Sequence, residues 1–212
     1  MKYAAINAKI KAMRSVRHEA IARQAADICR YIPGKLHRDY VKAMAQAGQT
    51  GDIHYYTTQW KRLARLDKPN PAALKSILGA EIDLKNIMWM YRLKRYYRIT
   101  GDATFGYLIP IRYKLSRDLT RRMADCITPA ALLDEVASCV YAQDFEHMTN
   151  MPPRVPTPEQ MLLAATCRRY QAAARRYPDS LAPALAYLCR AKQLETNPVY
   201  LSNYKTAGDI YW

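Results

Sequence analysis

The chain has 212 residues, half of them apolar and only seven of them glycine, with Ala, Leu, Arg, Lys, Gln, Glu and Met plentiful. It is long enough to bury a core, too apolar to be disordered, and rich in residues that keep their rotamers in a helix. Its net charge of +15 favours acidic partners (nucleic acid, anionic lipid headgroups or an acidic protein) without choosing among them.

Residues 3–31 read as a helix with Ile6, Ile10, Met13, Ile21 and Ile28 on one face, stopped by Pro33-Gly34. Shorter helices follow over 35–47 and 53–66, the second with Tyr55, Tyr56, Trp60 and Leu63 as core positions. Asn70-Pro71 combines a capping side chain with a proline that needs no donor, and opens a helix from about 71 to 99 that stops near Gly101. Leu74, Ile77, Leu78, Leu84, Met88 and Tyr91 keep helical spacing along it. Ser116 is the expected cap of a helix over 117–126, and Thr128-Pro129 of one running to about Phe145. Pro152, Pro153, Pro156 and Pro158 mark 149–158 as a linker between lobes 1–148 and 157–212 of a single helical domain. Thr157 and Gln160 form a capping box for a helix to Tyr177, and a last helix runs from about Ser180 to Glu195. No strand pattern survives a period-two count, so the fold class is all-α.

The motifs of common chemistries are missing. His18-Glu19 lacks the second histidine of HExxH, Gly34-Lys35 lacks the rest of a phosphate loop, and there is no GxGxxG or GxSxG. Glu81 and Asp83, two apart on a helix, point about 200° apart and cannot share one acid/base site. Glu81 with Lys85 reads as an ordinary i,i+4 pair. Cys29, Cys126, Cys139, Cys167 and Cys189 are odd in number and widely spaced, so they read as reduced, small apolar residues rather than metal ligands or a disulfide framework. No catalytic residue, metal or cofactor is expected. Met1 to Met13 carries three lysines and no unbroken apolar core, so no secretory leader is expected. No stretch reaches the roughly 20 apolar residues of a membrane span.

Basic residues cluster at Arg14 and Arg17; at Arg92, Lys94, Arg95 and Arg98; at Arg117, Arg121 and Arg122; and at Arg168, Arg169, Arg175 and Arg176. Tyr91, Tyr96 and Tyr97 interleave with the second cluster. Cations beside stacking aromatics are what phosphate-tracking grooves use. Each cluster taken singly also reads as a solvated helix face.

Residues 78–87 read LGAEIDLKNI and 89–97 read WMYRLKRYY. This resembles the central motif of the C/d family of V-type (V/A-type) ATPase stalk subunits, approximately G-x-E-I-D-L-x-N-I followed by R-x-K-x-Y-Y. Residues 3–13 (YAAINAKIKAM), 107–116 (YLIPIRYKLS) and 176–192 (RYPDSLAPALAYLCRAK) are similar to further family segments in the same order. Together the four stretches cover about a third of the chain, and their collinear agreement makes the match specific.

The resemblance implies a bundle of helical lobes of the V-type ATPase C/d type, with one lobe reduced. Its function would be that of a non-catalytic central-stalk subunit, linking the membrane proteolipid rotor ring to the rotating shaft for proton or sodium ion transport. It would be cytoplasmic, peripheral on the cytoplasmic membrane face through the ATPase complex. It also implies that Glu81, Asp83, Asn86, Tyr96 and Tyr97 are architectural, with Asp83 and Asn86 bonding one another or a neighbouring helix end, and that Ile82, Leu84 and Ile87 pack between helices. Arg92, Lys94, Arg95, Arg98, Arg121 and Arg122 are the expected partner contacts. Two departures from the family pattern imply a shortened, bacterial-like member. The stretch between Met13 and Ile53 is short for a complete first lobe, and Pro198 interrupts the late helix after Glu195-Thr196-Asn197. The alternative is a basic helical nucleic-acid-binding or adaptor protein diverged from the rotor role.

Overall fold

A computed structural model describes residues 21–46, 53–146 and 158–196. Among these lie ten α-helices, one π-helical turn and no strand. In chain order they are α1 (Ile21–Arg30), α2 (Lys35–Gln46), α3 (Ile53–Leu63), α4 (Asn70–Arg92), the π-turn (Leu93–Tyr97) and α5 (Asp102–Phe105). Then come α6 (Arg117–Asp125), α7 (Pro129–Ala137), α8 (Ala142–Phe145), α9 (Pro158–Arg176) and α10 (Ala182–Thr196). The expected helix before residue 21 and the capping role of Thr157 lie outside the described residues.

Contacts group the chain into two units, residues 1–77 with 167–212 and residues 78–166. The boundaries fall within α4 and α9 rather than in the Pro-rich segment, nearly all of which lies outside the described residues.

In the first unit α10 packs on both α1 and α2, which also pack on each other. Ile28, Ile32, Tyr40, Val41, Tyr56 and Leu74 are almost fully buried there. Gly34, between α1 and α2, takes φ 85°, a conformation that L side chains disfavour. Asn70, at the start of α4, also reaches beyond its own helix: its Oδ1 accepts from the Leu181 N–H (2.9 Å) and its Nδ2 donates to Asp67 Oδ1 (3.0 Å). Ser180 Oγ accepts from the Ala182 N–H (3.0 Å). Side chains thus satisfy N–H groups at the start of α10 that no helical carbonyl can reach.

In the second unit, α6 packs on α5 and α7, and α7 on α8. Leu84, Ile87, Met88, Met123, Leu132 and Val136 form the centre of its core. The expected caps form: Ser116 Oγ accepts from the Leu119 N–H and Thr128 Oγ1 from the Ala131 N–H, both at 3.1 Å. The helix expected to run from 129 to about 145 breaks after Ala137. Ser138 Oγ donates to the Glu135 carbonyl (2.7 Å), and the Ser138 and Cys139 N–H groups bond three residues back, which tightens the chain into a turn. That break lets Tyr141 enter the core.

The long helix expected to reach 99 keeps α geometry only to Arg92. It widens to a π-turn and ends at Arg98, whose φ of 56° is left-handed; the Arg98 N–H donates to the Leu93 carbonyl. The helix thus stops three residues before Gly101. At φ 62° Gly101 precedes α5, a four-residue helix that the sequence presents only as a turn.

Candidate functional site

Every residue of α4 from Ile77 to Leu84 is buried. Within that stretch, and one turn beyond it, Gly79, Asp83 and Asn86 recur at i, i+4 and i+7, so they form one stripe of the helix. The stripe faces the irregular segment 107–115. Asn86 accepts from the Ile109 N–H at its Oδ1 (2.9 Å) and donates from Nδ2 to the Ile109 carbonyl (3.0 Å). Both polar groups of one peptide residue are thereby satisfied in a place where no helix or sheet could do so.

Asp83, 0% exposed, accepts four hydrogen bonds. The Tyr113 N–H reaches Oδ1 at 3.1 Å. The Lys114 N–H (2.6 Å), the Leu115 N–H (3.2 Å) and the Tyr141 hydroxyl (2.9 Å) reach Oδ2. Burial pushes the Asp83 carboxyl up from its ordinary value, against the pull of these four donors. Gly79 completes the stripe: a Cβ there would lie 2.7 Å from Tyr113 Cβ and 2.8 Å from Cδ2. The segment can approach its two anchors only over a residue without a side chain.

Lys94 makes the second fixed point. It is 3% exposed, and its Nζ donates to the Ala124 carbonyl at 2.9 Å, where the Gly101 N–H also donates at 2.9 Å. The ammonium therefore sits at the C-terminal end of α6, where a cation opposes the helix dipole and serves a carbonyl that lacks an intrahelical partner. Burial pushes its pKa down, partly offset by the neighbouring acidic groups of Cys126 and Asp125.

This exchanges two expected roles. Lys94 was expected at a partner surface, and its ammonium is instead spent inside the fold. Tyr96 and Tyr97 were expected to be architectural, and they stand 68% and 69% exposed. A π-turn carries an extra residue, which rotates the next residues of the chain away from the direction an α-helix would give them. Arg95 and Arg98 are exposed on either side of the two tyrosines, and Arg92 is half-buried. Glu81 is buried. Asp83 and Asn86 bond the backbone of the 109–115 segment, and Asp83 the Tyr141 hydroxyl as well, rather than each other.

Arg121 and Arg122 are exposed on α6. Arg121 bonds Asp102 (2.6 Å) and Asp125 (3.2 Å) and lies over the Phe105 ring, 5.8 Å from its centroid. Arg122 bonds Glu135 at 2.9 Å. These pairs are exposed, and such pairs contribute little and exchange readily for another carboxylate. Phe105, Arg112, Arg117, Asp118 and Arg121 line a cavity of about 560 Å³. Arg112 was not among the expected contacts; only the fold brings it beside Arg117 and Arg121. Gly79 and Tyr141 were also missed. The spacing of Gly79, Asp83 and Asn86 was a readable signal, whereas nothing local to Tyr141 marks its partner.

The class defined here is an all-helical protein whose signature residues hold the fold and whose exposed signature positions are cationic and aromatic. Among the described residues no three His, Cys, Asp or Glu side chains stand together as metal ligands, and no helix is long and apolar enough to cross a membrane. A family model described as ATP synthase (C/AC39) subunit matches residues 49–198. The chain belongs to this family, the C/d (AC39) family of V-type ATPases, whose members are non-catalytic stalk subunits. Comparison with curated proteins and with solved structures returns no match.

Proposed function

We propose that this chain is the central-stalk subunit that links the membrane proteolipid rotor ring to the rotating shaft of a V-type ATPase, in a complex that moves protons or sodium ions. It would lie on the cytoplasmic face of the membrane, held there by its partner subunits. Family membership over 49–198 is the observation that carries this reading. The Gly79–Asp83–Asn86 stripe supports it mechanically, because an element that passes torque must not yield, and three backbone hydrogen bonds on one buried carboxylate tie a loop firmly to a long helix. Arg95, Tyr96, Tyr97 and Arg98, with Arg92, Arg112, Arg117, Arg121 and Arg122, form the contact surface in this reading. Arginine with exposed tyrosine is the composition that dominates interface energetics. The partner would present carboxylates, which the arginine forks grip in bidentate fashion.

The test is affinity purification of the tagged chain from gently solubilised source membranes, beside the Arg95→Glu/Arg98→Glu variant. Proteolipid and shaft subunits should co-purify in fixed ratio with the native chain and be lost with the variant, while the two melt at the same temperature. Recovery of nucleic acid, or of no ATPase subunit, would overturn the rotor reading.

A further inference from the structure

The thiols of Cys167 on α9 and Cys189 on α10 lie 2.8 Å apart, sulfur to sulfur. That is shorter than the ~3.5–4 Å of ordinary contact between non-bonded heavy atoms. It is longer than the ~2.05 Å of a sulfur–sulfur bond. The two helices thus already hold the pair where bonding requires little backbone movement. Both cysteines fall in the same unit of the chain. Cys167 is 2% exposed, whereas Cys189 is only half-buried, so an oxidant in solution reaches Cys189 first. The spacing of 22 residues, across the turn at Tyr177–Ser180, had made the two cysteines look unrelated in sequence.

We propose that Cys167 and Cys189 are a modification site that a hydroperoxide converts to an intramolecular disulfide. The Cys189 sulfur attacks one peroxide oxygen, the O–O bond breaks, and sulfenic acid and water form. The Cys167 sulfur then displaces hydroxide from the Cys189 sulfur, and the hydroxide takes the thiol proton as a second water. In total, two thiols and one hydrogen peroxide give one disulfide and two waters. A small dithiol reverses the change by exchange. The bond would staple α9 to α10 in the unit that also contains α1 and α2. This inference is independent of the stalk reading.

The test treats the full chain with one equivalent of hydrogen peroxide, unfolds it in urea, blocks free thiols with iodoacetamide and maps the tryptic peptides by mass. Two fewer of the five cysteines should be alkylated. A single linked peptide pair should join Cys167 to Cys189 and vanish with dithiothreitol, and the oxidised chain should melt above the reduced one. Cys189→Ser should leave Cys167 alkylated after the same treatment and remove the rise in melting temperature. Full alkylation of all cysteines in the native chain, linkage through a different pair, or sulfinic acid at Cys189 with Cys167 still free would overturn the proposal.

Discussion

Replacing Asp83 by alanine strips the acceptor from four donors at once. Two of them, the Leu115 N–H and the Tyr141 hydroxyl, belong to buried residues, and each costs about 1–3 kcal/mol when left unmet. The Tyr113 and Lys114 N–H groups belong to a half-buried and an exposed residue, reach water more easily and add less. The native carboxylate carries its own desolvation cost, visible in its raised pKa, and its removal returns part of the loss. The expected net loss is about 2–4 kcal/mol, or a fall of about 4–16 °C in Tm for a chain of this size. Asp83→Asn should also destabilise, because its amide N–H groups meet donors. Tyr141→Phe should cost about 1 kcal/mol in the native chain, and it should cost less, or restore stability, in the Asp83→Ala background, where the hydroxyl has lost this acceptor.

The pH dependence has a definite sign. Because burial raises the Asp83 pKa above its unfolded value of about 3.9, the folded state holds this proton more tightly than the unfolded chain does. Stability from this group is full below about pH 3.9 and declines as pH climbs through the folded pKa. Urea denaturation should therefore show the gap between native and Asp83→Asn widest at the acid end and narrowing upward. Losses under about 0.5 kcal/mol for both Asp83 variants, or equal Tyr141→Phe costs in both backgrounds, would refute the role of Asp83 as a clamp on the segment before α6.

Gly79→Ala should cost about 1–2 kcal/mol, since overlap with Tyr113 outweighs the helix propensity gained, and the same substitution should cost less in a Tyr113→Gly chain, which lacks both the ring and the Cβ; urea melts measure both. Lys94→Met should cost about 1 kcal/mol or less by the same assay, because the Gly101 N–H still serves the Ala124 carbonyl, whereas Lys94→Glu should lose the cooperative transition. Asn70→Ala should cost about 1–3 kcal/mol by leaving the buried Leu181 N–H without its acceptor, and hydrogen exchange should speed at Leu181 first.

Much of the architecture was legible because it is written locally. Ser116 and Thr128-Pro129 cap where they stand, and the apolar spacing from Leu74 to Met88 marks a helix that is now seen to be buried. The π-turn was not legible. It differs from an α-helix by one residue per turn, and nothing within residues 93–97 reveals that Lys94 bonds Ala124, thirty positions away. The break at Ser138 was hidden for a related reason: serine tolerates helix or turn, and the buried place taken by Tyr141 accompanies the turn. The role of Asp83 was half legible. Its distance from Glu81 excluded a shared acid/base site, but its partners are mainly backbone N–H groups, which every sequence has and no sequence displays.

The clamp and the contact surface share a mechanical cause. Asp83 and Asn86 fix the segment that carries Arg112, and Lys94 fixes the end of the helix that carries Arg117, Arg121 and Arg122. Both anchors come from α4 and the turn that continues it, the same turn that presents Tyr96 and Tyr97. Binding a partner on such a surface orders few new backbone residues, so more of the contact energy survives as affinity. Two sets of variants should therefore separate. Substitutions at Arg95 or Arg98 should weaken capture of a partner at unchanged stability. Asp83→Ala should weaken it only in proportion to the fraction unfolded, and capture at a temperature where that variant remains folded should be restored. Equal loss of capture at every temperature would mean that the buried carboxylate reaches the partner by another route.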